Sequence, residues 1–242
     1  MRRVVDEAFE VVYAGDGPVL LTCEHASLRL PEGWSWPEPD RWLVGTHWSY
    51  DLGIADFTLE LASALRCPAV LARFSRLLCD ANREERDPSL FRDAAEGRLV
   101  HLNATLDAAE RERRLAAYHR PYHAAVSQVA REVPGKLVFS MHSFTPIYEG
   151  NPREVEIGVL FDTEDALATD FALALVDRGF PTWLNEPYSG KEGLIYAATR
   201  HAADHGRRAL ELEIRQDLLE DPTWRSRAVV AVAEALAEVG LV

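Results

Sequence analysis

The chain is 242 residues long, 48% hydrophobic and 27% charged, the composition of an ordinary soluble globular protein. Its formal charge of −13 argues against nucleic acid or an anionic membrane as a partner, because both reward clustered Lys and Arg, and its 26 basic residues form no basic tail. Cys23, Cys67 and Cys79 lie in or beside apolar segments at a spacing that matches no zinc ribbon; they read as reduced thiols of a cytoplasmic protein, not as a disulfide framework.

In chain order, MRRVVDEAFE carries acids directly behind its basic start, which does not read as a signal peptide. No stretch approaches the ~18 apolar residues of a membrane span. GPVLLTCE (17–24) is a short apolar run bounded by Gly and a polar turn, which predicts a buried strand. Residues 27–50 follow as an irregular segment with Pro31, Pro37 and Pro39 and with Trp34, Trp36, Trp42 and Trp48; a loop of this length is usually functional. Asp51 stands at the N-cap position of a predicted helix whose Ile54, Phe57, Leu61 and Leu65 share one face.

PAVLARFSRLL (68–78) predicts a strand and DANREERDPSLF (80–91) a loop. Residues 105–132 have helical spacing, ended or kinked by Pro121 in YHRPYH. KLVFSMHS (136–143) predicts a strand ending near His142, and EVEIGVLFD (154–162) another. A helix over 164–178, a short strand and loop over 181–190 and a helix over 193–206 come next. A strand over 207–219 ends near Glu213, and a closing helix covers 226–240. Strands alternating with helices predict one α/β domain over 1–242, with a mainly parallel or mixed central sheet and helices on both faces.

Ligands of open α/β sheets collect outside the carboxyl ends of the strands. His25, Arg76, His142 and Glu213 all fall at or just past predicted strand ends. Each alone reads equally as a hydrogen-bonded strand-end residue; the chemistry depends on their converging. Two neutral imidazoles and a carboxylate describe a catalytic zinc site, with His25 and His142 as the nitrogen ligands. Asp51 and Glu24 compete for the third place, with Glu24 alternatively the partner that orients a ligand histidine. Neighbouring side chains on a strand point to opposite faces, which favours Asp51 over Glu24. Glu213 is then free as general base toward a metal-activated water. Arg76, Asn82 and Arg83 stand together in SRLLCDANR, and an arginine fork matches a substrate carboxylate, although pairing of one or both arginines with a native acid such as Asp80 or Glu84 is the more frequent arrangement. Further candidates are His47, Tyr188, Ser189, Lys191, His201 and Arg215. His119 and His123, four apart across Pro121, read as structural.

The ordered set CEH, THWSYDLG, SRLLCDANR, YHRPYH, MHS, NEPYSG and LEIRQDLL resembles the N-formylglutamate amidohydrolase family over about residues 17–219. The resemblance extends to zinc carboxypeptidases and aspartoacylases, and implies their fold, a hydrolase acting on a linear amide C–N bond, and Zn2+ or another divalent metal as cofactor. It implies that DANR (80–83) binds the substrate carboxylate, that His142 binds metal and that Glu213 is the general base. The implied partner is a small N-acyl amino acid. The carboxypeptidase His-x-x-Glu pattern is absent, since Leu28 stands three residues after His25, so the third ligand cannot be carried across. A deacylase with a different acyl or peptide substrate, and a binding module that kept the fold without the chemistry, are the alternatives. Composition gives no oligomeric state.

Overall fold

The apolar runs and helices assemble, in a computed structural model that describes residues 2–242, around one eight-stranded sheet. The elements begin with β1 (Arg2–Val5), β2 (Phe9–Tyr13), β3 (Val19–Cys23), α1 (Ile54–Leu65), β4 (Pro68–Ala72), β5 (Ala94–Ala95), β6 (Arg98–Leu99), α2 (Ala108–Arg114) and α3 (Arg120–Glu132). They continue with β7 (Leu137–Phe144), β8 (Ile147–Tyr148), β9 (Asn151–Pro152), β10 (Ile157–Leu160), α4 (Asp165–Asp177), β11 (Thr182–Leu184), α5 (Tyr196–His205), β12 (Arg208–Arg215), α6 (Gln216–Leu219) and α7 (Pro222–Glu238).

The sheet runs β1-β2-β4-β3-β7-β12-β10-β11. Its centre, β4 to β12, is parallel, while β1, β2 and β10 join antiparallel to their inner neighbours. The sheet is therefore mixed. Alternation along the strands sorts its two faces. Leu21, Met141, Leu212 and Ile214 pack on one face with Phe57, Phe171 and Val232 of α1, α4 and α7. On the other face Leu20 and Val70 meet Tyr122 and Val126 of α3, and Val138 meets Ala198 and Ala202 of α5. The same alternation puts Ser140, His142, Glu211 and Glu213 on this second face, toward the carboxyl ends of β7 and β12.

Several boundaries differ from the sequence reading. β4 stops at Ala72; the chain then turns so that Ser75 Oγ donates to the Ser49 carbonyl (2.7 Å) and Ser75 N–H to that of Arg29 (2.8 Å). The helical segment at Pro121 is not broken: a π turn over Leu115–His119 joins α2 to α3, and Pro121 falls in the first turn of α3. The β1–β2 hairpin has no counterpart in the reading, because RRVV is exposed along its whole length and shows no alternation. No helix among the described residues is long and apolar enough to cross a membrane.

Gly158, paired with Glu213 across β10 and β12, is a point of close approach. A Cβ there would lie 1.8 Å from the Glu186 carbonyl oxygen. Gly158→Ala is therefore expected to lower stability by about 2 kcal/mol or more, because backbone must shift. Urea unfolding reads the effect; an unchanged midpoint contradicts the contact.

Candidate active site

The β3 strand delivers Glu24 and His25 just beyond its last residue, while β7 carries His142 level with Glu213 on its parallel neighbour β12. The two imidazoles meet edge to face, 4.6 Å between centroids. Asp51 comes to them from the loop before α1, its N–H donating to the His25 carbonyl (3.0 Å). Its Oδ2 lies 2.9 Å from His142 Nδ1 and 3.4 Å from His25 Nδ1, and accepts from Ser143 N–H (3.2 Å). Asp51 does not cap α1. That helix starts at Ile54 behind Gly53, which sits at φ 76° and offers no side chain, and the carboxylate is turned inward instead.

The outer nitrogen of each imidazole also faces a carboxylate. His25 Nε2 is 2.7 Å from Asp80 Oδ1, and His142 Nε2 is 3.1 Å from Glu24 Oε2 and 3.5 Å from Glu211 Oε2. Glu24 thus serves His142, not the adjacent His25. It is fixed by Tyr122 OH (2.8 Å) and Ser140 Oγ (2.6 Å), which both donate to it. Arg76 bridges the two aspartates, Nη1 donating to Asp51 Oδ1 (3.2 Å) and Nη2 to Asp80 Oδ2 (3.1 Å). Burial opposes the charge on Glu24, but the His142, Ser140 and Tyr122 contacts outweigh it and hold its pKa down at about 2. Burial likewise opposes charge on Asp80, yet His25 and Arg76 keep it well below the usual carboxylate range.

Two overlapping groups of donors have the separation a metal needs: His25, Asp51 and His142, and His142, Glu211 and Glu213, each within 4.8 Å. The first supplies two nitrogens and one carboxylate oxygen, the set that catalytic zinc takes when a fourth position stays open. It also leaves each imidazole's second nitrogen on a carboxylate, as metal-bound histidines are normally held. With Glu24, Asp80 and Glu211 close around them, these donors favour a cation. Glu213 differs: its Oε2 is buried without a hydrogen-bond partner among the described residues. Burial, with Glu211 and Asp51 nearby, raises its pKa well above the ordinary glutamate value despite the opposing pull of His142.

A cleft of about 820 Å³, mouth included, opens over these groups. Its lining contains His25, Asp51, His142, Glu213, Arg76, Asn82 and Arg83, so the residues singled out from the sequence converge, together with His47 and Tyr188. Asn82 is committed to the protein: its Oδ1 accepts from Ala197 N–H (3.0 Å) and its Nδ2 donates to the Leu194 carbonyl (3.1 Å) and Glu211 Oε2 (3.2 Å). Arg83 donates from Nε to Ser89 Oγ (3.1 Å) and from Nη1 to the Asn82 carbonyl (2.8 Å), leaving Nη2 open. Ser189, Lys191 and Arg215 are not among the lining residues: Lys191 pairs with Asp165 (2.7 Å) and Arg215 with Asp217 (2.8 Å). Arg215 does share a face of β12 with Glu213, but its fork is turned to Asp217. Glu211 and Arg92 were not singled out, and Asp80, which the resemblance assigned with DANR to the substrate carboxylate, is instead held by His25 Nε2 and Arg76 Nη2. Glu211 was within reach of the sequence, since it sits two residues before Glu213 and strand alternation gives both the same face.

His119 and His123 stand behind the cleft. His119 Nε2 lies 2.9 Å from the Arg83 carbonyl, and His123 Nδ1 2.9 Å from His201 Nε2. Burial and then the Arg200 cation lower the His201 pKa to about 4. Between about pH 6.5 and 4 the unfolded chain takes up a proton that folded His201 does not, so stability is complete above that window and falls as pH drops through it, by on the order of 3 kcal/mol. His201→Gln should flatten that part of the curve. Equilibrium unfolding at both ends of the window checks this, and an equally steep fall in the variant contradicts it.

Paired imidazoles and a carboxylate at parallel strand ends have the donors of a metal site, and the family match makes the chain a hydrolase that acts on amide bonds. The family model for N-formylglutamate amidohydrolase matches residues 17–220, and the chain belongs to that family. The crystal structure of a gene product from Agrobacterium tumefaciens is 31% identical, with a TM-score of 0.86 over 97% of this chain and 95% of that one. An N-formylglutamate amidohydrolase from Ralstonia eutropha shares the fold at 17% identity, with a TM-score of 0.72 over 97% of this chain and 98% of that one. No curated protein matches the sequence.

Proposed function

We propose that the chain hydrolyses the amide of a small N-acylated amino acid, N-formylglutamate or a relative, with a divalent ion, zinc in the first instance, held by His25, Asp51 and His142. The observation that carries the reading is the meeting of His25 Nδ1 and His142 Nδ1 at Asp51 Oδ2 while Glu213, whose Oε2 is buried with no partner among the described residues, lines the same cleft. A bound ion supplies a Lewis acid for the acyl oxygen and lowers the pKa of the attacking water.

The protein's own groups do the rest. Asp80 and Glu24 fix the imidazole orientations through the outer nitrogens, so both Nδ1 lone pairs point inward. Glu213 Oε2 takes the proton from the attacking water and returns it to the amide nitrogen as the C–N bond breaks, giving a carboxylic acid and an amine. Arg83 offers its open Nη2 to the substrate carboxylate. Arg76 and Asn82 brace that wall of the cleft through Asp80 and Glu211.

Formate release from N-formylglutamate tests the reading. Chelation is expected to abolish it and zinc, or another divalent ion, to restore it. Failure of zinc-replete protein to cleave any of the formyl, acetyl or succinyl amino acids would overturn it.

A further inference from the structure

The metal cleft is not the whole of the cavity. A second chamber of about 1220 Å³, mouth included, adjoins it and shares His47, Trp48, Arg92 and Tyr148 with it. Its walls are the β5–β6 and β8–β9 hairpins, which stand outside the main sheet and contribute Ala94–Gly97 and Ile147–Gly150. Trp48 forms part of the passage, held by donating its indole N–H to Glu96 (3.2 Å).

The arginines around the passage are not equivalent. Arg76 gives both Nη atoms to Asp51 and Asp80, and Arg83 gives Nε and one Nη to protein oxygens. Arg92 has its guanidinium carbon 5.4 Å from the Trp48 ring centroid, and among the described residues no carboxylate or carbonyl accepts from its side chain. It is half-buried, and burial together with Arg76 disfavours its charge. A half-buried, uncommitted guanidinium over the face of an indole is arranged for an incoming carboxylate.

The geometry points to the outer chamber as a second substrate subsite, in which Arg92 receives a carboxylate on a part of the substrate extending past the scissile amide. The inference rests on the amidohydrolase reading and narrows it: the preferred substrate is an acidic acyl amino acid or acyl dipeptide longer than a formylated amino acid. The hairpins then serve specificity. Ile147, 57% exposed, and Tyr148 would flank the extended chain.

The test compares N-formylglutamate, N-succinylglutamate and N-formyl-glutamyl-glutamate with zinc-loaded enzyme. At least one longer acid is expected to exceed N-formylglutamate in kcat/KM by about tenfold, the scale of one charge-assisted hydrogen bond. Arg92→Gln should remove that advantage, reducing the longer acid at least about tenfold more than N-formylglutamate, and Arg92→Lys should recover part of it. Ala94→Trp, which fills the chamber from its rim, should show the same selectivity. An enzyme that cleaves N-formylglutamate but gains nothing from length, or an Arg92→Gln variant that slows every substrate alike, overturns the subsite and leaves the hydrolase reading standing. If none of the three is cleaved, the hydrolase reading is what fails. Calorimetry with N-succinylglutamate then decides the chamber, since equal affinity for wild type and Arg92→Gln, or no binding to either, removes it.

Discussion

Glu213→Gln is expected to lower kcat by roughly 10²–10⁴-fold, the range a positioned general acid–base contributes, while zinc stoichiometry stays at the wild-type level. The substitution keeps size and hydrogen-bonding capacity but removes the atom that accepts the proton. KM should change little, since Glu213 makes no contact that the substrate carboxylate needs. Stability should not fall: the wild-type protein buries a carboxylate oxygen with no partner, and a neutral amide lessens that burden. Its raised pKa gives the same sign, for such a group contributes stability at low pH that is lost as pH rises through the folded value, and the amide does not titrate. Steady-state kinetics, metal analysis and thermal unfolding of one preparation read all three. A variant with wild-type kcat would mean that another group moves the proton.

Loss of His142 should have the largest structural consequence. Its ring lies among Asp51, Glu24 and Glu211, and those three carboxylates raise its pKa well above the ordinary value against the effect of burial. His142→Ala leaves Glu24 and Glu211 buried without their cation while Asp51 keeps Arg76, and removing one partner of a buried pair costs about 3–5 kcal/mol. Zinc binding should be lost with it. Glu24→Gln separates the roles, because it keeps the ligand and removes only the acid that orients it; zinc affinity should drop by about 10–100-fold. Chelator competition measures both. Full zinc content and full activity in His142→Ala would end the proposed scheme.

The sequence made the strand ends legible and left their partners hidden. His25 and His142 could be placed because each closes an apolar run, VLLTC and LVFSM, whose burial is complete. Asp51 could be singled out as a ligand candidate by alternation, but its expected cap role was wrong, since Gly53 at positive φ caps a helix that begins at Ile54 and not at Leu52. Glu24 could be named as a carboxylate that orients a histidine, but that the histidine is His142 was out of reach. It depends on β3 and β7 lying side by side with Thr22 against Ser140, a register that no local pattern encodes. Asp80 and Arg92 fall in loops, where periodicity says nothing about direction. The β1–β2 hairpin escaped notice for a different reason: its outer strand faces solvent on both sides, so there is no buried face to give it a period.

The π turn between α2 and α3 sets an angular phase. A residue more or fewer in an α-helix rotates everything beyond it by about 100°. Because Leu115–His119 is wound wider than an α turn, His119 reaches the Arg83 carbonyl while α2, on the near side, still directs Arg114 Nη1 to the Leu78 carbonyl. One continuous rod thereby grips both ends of the 78–83 segment, and a single-residue deletion in the turn would bring one grip round at the expense of the other.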